Sequence, residues 1–303
     1  MATGVPGRDL SARWLQGSLQ IGYAAGSAWY VNSQTGNALN TGVSWLNPMA
    51  TIDQAVDKCT ASRGDVIYVA SCHAENLAAD SAIDIDVVGV TVQGIRRGRE
   101  MPTLTYTAAA GDCKLAAANT SIRDIRFLGG IDVGTGCIEV SAADCSIIDC
   151  EFRDVTGEAT DVVMLVAGAD RCLIDGYKHF GAAGAGGNSA ISINDADDVE
   201  IKNFYIYGNF AVGAIDFRTA ASARANIHDG KIWTENAADI AIVDTITTST
   251  GIIGPNLQLL LQDDAANATA SITGATFSLF DPIYVCNAAA EKGYLIPWTA
   301  STG

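Results

Sequence analysis

The chain has 303 residues, 49% of them hydrophobic and 17% charged, with 31 Gly against 6 Pro. This composition builds a core and excludes a disordered or collagen-like chain. The formal charge of −16 repels nucleic acid and anionic membranes, so neither is expected as a partner.

Residues 1–27 are rich in Gly, Ala and Ser with little periodicity, and are expected to form an extended N-terminal arm. The opening Met1-Ala-Thr-Gly-Val-Pro-Gly-Arg-Asp9 lacks the basic-then-apolar pattern of a secretory signal. No window approaches the ~18 apolar residues of a membrane helix. The chain is therefore expected to be made in the cytoplasm and to leave it only inside a larger assembly. Eight cysteines, at 59, 72, 113, 137, 145, 150, 172 and 286, include no CxxC pair. Most sit beside apolar segments, which favours reduced thiols acting as small hydrophobes.

After Trp29-Tyr-Val31 and the Gly/Asn-rich stretch 36–48 comes Ala50-Thr-Ile-Asp-Gln-Ala-Val56. Thr51 and Gln54 form a capping box, and Ile52, Ala55, Val56 and Cys59 share one helical face. Gly64 is expected to end this helix and Val66–Val69 to be a strand. A helix placed here covers the open end of a stack of strands and blocks edge-to-edge aggregation.

From residue 115 the chain repeats with a period of about 26 residues. Leu115-Ala-Ala-Ala-Asn-Thr-Ser-Ile-Arg-Asp124, Val140-Ser-Ala-Ala-Asp-Cys-Ser-Ile-Ile-Asp149 and Val166-Ala-Gly-Ala-Asp-Arg-Cys-Leu-Ile-Asp175 align without a gap. Asn203 and Asp229 continue the series, and Val92-Gln-Gly94 and Ile253-Gly-Pro255 flank it. Short runs of alternating apolar residues between Gly, Ala and Asp corners predict a β-solenoid rather than Ala-rich helices. With three strands per coil, the first strand turns Cys113, Ile138, Met164 and Ile191 inward. The second contributes Ile122, Ile147, Leu173, Ile201 and Ile227. The third contributes Phe127, Phe152, Ile206 and Ile232, with Lys178 an exception. Asp124, Asp149, Asp175, Asn203 and Asp229 form a structural ladder at one corner, where short polar side chains tolerate left-handed backbone. Three stacked aspartates would repel one another. Calcium at these corners is not favoured, because the G-G-x-G-x-D spacing is missing, and no metal or cofactor is expected.

The helix, the Gly/Asn-rich stretch and the strand 66–69, followed by these repeats, resemble the N-terminal cap and coils of right-handed parallel β-helix proteins of the pectate-lyase-like superfamily. The likeness is greatest to versions in bacteriophage virion proteins and bacterial surface proteins, and covers roughly residues 28–255. It implies an all-β fold of about seven coils behind the capping helix. The remaining segment, 256–303, ends in Tyr294-Leu-Ile-Pro-Trp298 and is expected to leave the repeat as a C-terminal cap or interface. The fold itself carries lyases, hydrolases, tailspikes and inert parts, so function rests on the site.

In enzymes of this superfamily, the resemblance implies, chemistry sits on the outer face of the first strand row. Here that row reads Lys114, Glu139, Leu165, Ser192, Asp216 and Ile242. Glu139 and Asp216 are three coils apart, roughly 14 Å, too far to act as a glycosidase pair. Arg218 is the nearest candidate for a lyase base. Gln262-Asp-Asp264 matches one polygalacturonase fragment outside the repeat, and His73, His179 and His228 are scattered. Asp195, Asp197 and Asp198 read as a solvated acidic corner rather than a cation site. No catalytic residue is assigned.

The outer face of the third strand row offers Tyr177, His179, Tyr205, Tyr207 and Trp233, an aromatic patch suited to a protein interface or to stacking on sugars. Cover by a loop or by the tail is the alternative. The expectation is a non-enzymatic structural protein of a phage particle, such as a capsid decoration or cement protein. It is expected to be a virion-bound homotrimer contacting the major capsid or other virion proteins. A tailspike-like enzyme cutting a polysaccharide, or a glycan-binding adhesin, is the alternative.

Overall fold

The computed structural model describes residues 26–129, 131, 136–154, 161–181, 187–235, 240–261, 272–273, 276–287 and 294–295. The arm (up to residue 25), Asp263, Asp264 and Trp298 lie outside them. Three parallel sheets of eight, ten and ten strands are built by a chain that visits each in turn on every coil. The first sheet contains Cys113–Leu115, the second Ser121–Arg123 and the third Arg126–Leu128. The fold is a parallel β-helix, and the repeat predicts such a solenoid.

Stacking places like residues in register. The first sheet's inward column is Ile83, Cys113, Ile138, Val163, Ile191, Ile215 and Ile242. The second sheet's runs Ile67, Val92, Ile122, Ile147, Ile174, Ile201, Ile227 and Ile253. All of these side chains are buried in one continuous core. The third sheet's column is Leu104, Phe127, Phe152, His179, Ile206, Ile232 and Leu259. Aromatic contacts run along it: the Phe152 and His179 rings stack with centroids 5.3 Å apart and planes 9° from parallel.

One coil is displaced by one residue from its sequence alignment. Val163 replaces Met164 inside, Ile174 replaces Leu173, and His179 fills the place at which Lys178 was anomalous. Because side chains alternate, a one-residue shift exchanges every inward and outward position of the coil. Lys178 is accordingly exposed.

The same shift removes Asp175 from the corner ladder. Asp124, Asp149, Asn203 and Asp229 have φ of 54°, 51°, 54° and 51°, whereas the left-handed residue of the intervening coil is Gly176, at 72°. Asp175 instead ends the strand Leu173–Asp175. The charges are handled pairwise. Arg97 bridges Asp124 and Asp149, 2.7 Å from each, and Gln93 donates to Asp124 at 2.6 Å. Gly176 interrupts the acidic column, and Asn203 donates to Asp175 at 2.8 Å. One coil further, Asn256 donates to Asp229, also at 2.8 Å. Repulsion within an all-aspartate stack is thereby avoided.

The N-terminal cap is a short helix, α1 (Ile52–Val56), with Ile52, Ala55 and Val56 buried. The Gln54 amide donates to Thr51 Oγ1 at 3.3 Å, while Gln54 Oε1 accepts from Ala50 rather than from Thr51 itself. The helix ends at Val56, well before Gly64. His73 fastens the cap from behind. Its Nδ1 accepts from the Ser33 amide at 2.9 Å, and its Nε2 donates to Glu75 at 3.0 Å. Glu75 also accepts the Ile52 amide at the start of α1, at 3.1 Å.

The repeat does not stop at residue 255. Leu257–Leu261, Phe277–Leu279 and Ile283–Asn287 continue the parallel sheets, and among the described strands only Tyr294–Leu295 pairs antiparallel, against 284–285.

Candidate functional site

The outer face of the third sheet carries two rows in register. One reads Arg126, Glu151, Lys178, Tyr205, Lys231, Gln258 and Tyr284. The other reads Leu128, Arg153, Phe180, Tyr207, Trp233 and Leu260. Tyr205, Tyr207 and Trp233 therefore share this face, half-buried. Tyr177 and His179 do not. Both point into the core, at 0% and 3% exposure, with the Tyr177 hydroxyl 3.4 Å from His179 Nδ1. Burial pushes the His179 pKa down to about 3, so the ring is neutral. In their place stand Lys178 and Phe180. The anomaly of Lys178 was the one sequence signal for this exchange.

The surface is thus aromatic and cationic together. Arg153 lies over the Phe180 ring, 4.8 Å from its centroid, and Phe180 packs on Tyr205 at 5.6 Å. Lys231 sits 5.7 Å from the Tyr205 centroid and 5.3 Å from that of Trp233. Tyr207 meets Trp233 edge-on, at 5.7 Å and 86°, and its hydroxyl donates to Glu235. These contacts fix the rings in place, so little side-chain freedom is lost when a partner covers them.

The first sheet's outer row is Lys114, Glu139, Met164, Ser192, Asp216 and Val243. Met164 and Val243 stand where Leu165 and Ile242 were expected. Glu139 and Asp216 remain three coils apart, as the repeat implied. Asp216 does meet a base, however. Arg218 Nε lies 3.2 Å from its Oδ2 and donates to Ser192 Oγ at 2.8 Å, and Nη2 bonds Asp161. Ser189 completes the group, its hydroxyl 3.0 Å from Asp161 Oδ1. Asp161 and Arg218 belong to different coils, and only the folded register brings them together.

Asp216 is fully buried, neither carboxylate oxygen is hydrogen-bonded, and burial lifts its pKa to about 6 against the pull of Arg218. A carboxyl raised on folding favours the native state while protonated, and that contribution is lost as pH climbs through the folded value. The stability of the parent relative to Asp216→Asn should therefore fall by about 3 kcal/mol between about pH 4 and pH 7. Urea unfolding of both proteins across this range measures it; parallel pH profiles would contradict it.

His228 lies on the outside of the second sheet between Asp229, at 2.6 Å, and Glu200, at 3.2 Å. Asp198 and Asp197 are paired with Arg224, which holds the Asp198 carboxyl below its ordinary range. Asp195 adopts φ 56°. Among the described residues, no group of three or more His, Cys, Asp or Glu is placed to hold a metal ion.

The fold and these faces define a three-sheeted parallel β-helix. No family model matches the chain, and no curated protein matches it. Among solved structures it is similar to a rhamnogalacturonan lyase, over 90% of each chain, with a TM-score of 0.50 and 9% identity. That likeness is one of fold.

Proposed function

We propose that this chain is a non-catalytic structural protein of a phage particle, a β-helical rod bound to the virion surface as a decoration or cement protein. In this reading it forms a homotrimer and contacts the major capsid protein or another virion protein. The observation that carries the reading is the third sheet's outer face, where Phe180, Tyr205, Tyr207 and Trp233 are held between Arg153 and Lys231. Pre-ordered aromatics beside cations are the composition of protein-binding hot spots. The buried group around Asp216 supports the same reading, because Arg218 is engaged by two carboxylates and Ser192.

Co-sedimentation with particles lacking this protein, together with light scattering, tests the proposal. A trimer should bind, and Trp233→Ala should weaken binding at least about tenfold. A monomer that ignores both heads and tails would overturn it.

The half-buried aromatics of this face also suit a tailspike-like or glycan-binding role, and the similar solved structure is named for a polysaccharide lyase. Reducing-end and unsaturated-uronide assays on a polysaccharide panel, with a glycan array, separate this second reading from the first. Product release, or array binding lost in Tyr205→Ala, would favour it.

A further inference from the structure

We propose that Cys145 and Cys172 are a peroxide-responsive thiol pair whose oxidation links two neighbouring coils by a disulfide. Ser146 pairs with Leu173, and the Leu173 amide donates to the Cys145 carbonyl at 3.0 Å. Cys145 and Cys172 therefore sit one directly above the other at the entrance to the second sheet. Adjacent strands lie about 4.8 Å apart, within the roughly 4.4–6.8 Å Cα separation of disulfides. No other two of the described cysteines stand in register: Cys113 stacks on Ile83 and Ile138, and Cys150 lies level with Tyr177.

The two thiols differ in surroundings. Both reach backbone carbonyls, Cys145 Sγ that of Ala117 at 3.4 Å and Cys172 Sγ that of Ala142 at 3.6 Å, but Cys145 Sγ also lies 3.2 Å from Thr120 Oγ1. Hydrogen bonding from Cys172, and then from Thr120, favours the Cys145 thiolate, while the same contact and burial hold the Cys172 thiol up. Cys145 is thus the thiol that ionises first and attacks, and Cys172 the one that resolves.

Both are nearly inaccessible, at 1% and 2% exposure, so the oxidant must be small, and hydrogen peroxide is the class that fits. The Cys145 thiolate attacks one peroxide oxygen, the O–O bond breaks, and with one proton a sulfenic acid and a water result. The Cys172 sulfur then attacks the Cys145 sulfur, and its thiol proton leaves with the expelled hydroxide as a second water. Two thiols and one peroxide give one disulfide and two waters.

The test uses the native full chain treated with dilute hydrogen peroxide, quenched, denatured and mapped by mass spectrometry without reduction. The expected product is a peptide linked through Cys145 and Cys172, reversed by a thiol reductant, with a raised thermal midpoint before reduction. In Cys172→Ser the link should be absent and Cys145 should progress to sulfinic acid. Retention of both thiols while the exposed Cys72 oxidises would overturn the proposal, as would a different pairing.

Discussion

Exchanging His179 for Lys is expected to destabilise the protein by about 4 kcal/mol, whereas Lys178→Ala next to it should cost less than about 0.5 kcal/mol. The contrast follows from alternation. His179 is stacked on Phe152, 5.3 Å between centroids, and touches Phe210 at 5.5 Å. A lysine ammonium there would be taken out of water, at a position only 3% exposed, and burying a charge is among the most damaging of single changes. Lys178 is exposed between Glu151 and Tyr205 on the outer face. Urea midpoints of the two variants measure the difference. Equal losses, or the larger loss at residue 178, would restore the alignment in which Lys178 faces inward.

Gly176→Asp is the second large effect, and it runs against the repeat. Aspartate would complete the row of Asp124 and Asp149, yet the protein should lose about 3 kcal/mol. A Cβ on Gly176 would lie 2.4 Å from Asp149 Oδ1, while Arg97 holds the other oxygen of that carboxylate at 2.7 Å. Backbone at φ +72° adds strain for a residue with a Cβ. The new carboxylate would also stack on Asp149 without a cation of its own. Part of the loss should return in about 1 M salt, which screens the repulsion but not the clash. Gly176→Asn should lose less than the aspartate variant at low salt. Identical behaviour of the two variants would remove charge from the explanation.

Fold and faces were legible to different degrees. The sheets and corners could be read because period-two apolar runs and small-residue corners recur along the chain. The coil at 161–181 could not be aligned by pattern alone. Its strands present adjacent apolar residues, Val162-Val-Met-Leu165 and Leu173-Ile174, which satisfy either register. Asp175 then matched the corner consensus although Gly176 occupies the corner. That single residue predicts Tyr177 and His179 on the surface, where Phe180 and Lys178 stand instead, whereas the register of the following coils turns Tyr205, Tyr207 and Trp233 outward. The group at Asp216 was hidden differently. Arg218 was visible as a candidate base, but its bond to Asp161 joins residues 57 apart, a contact that no local spacing encodes.

The register of this coil decides which side chains any partner meets, and the titration of one ring reports it. Among His73, His179 and His228, His179 can be assigned by substitution and followed by NMR. The His179 imidazole should stay neutral down to about pH 3, because burial opposes its charge. An imidazole titrating near pH 6.5, the value of an accessible histidine, would put His179 on the surface and contradict this register.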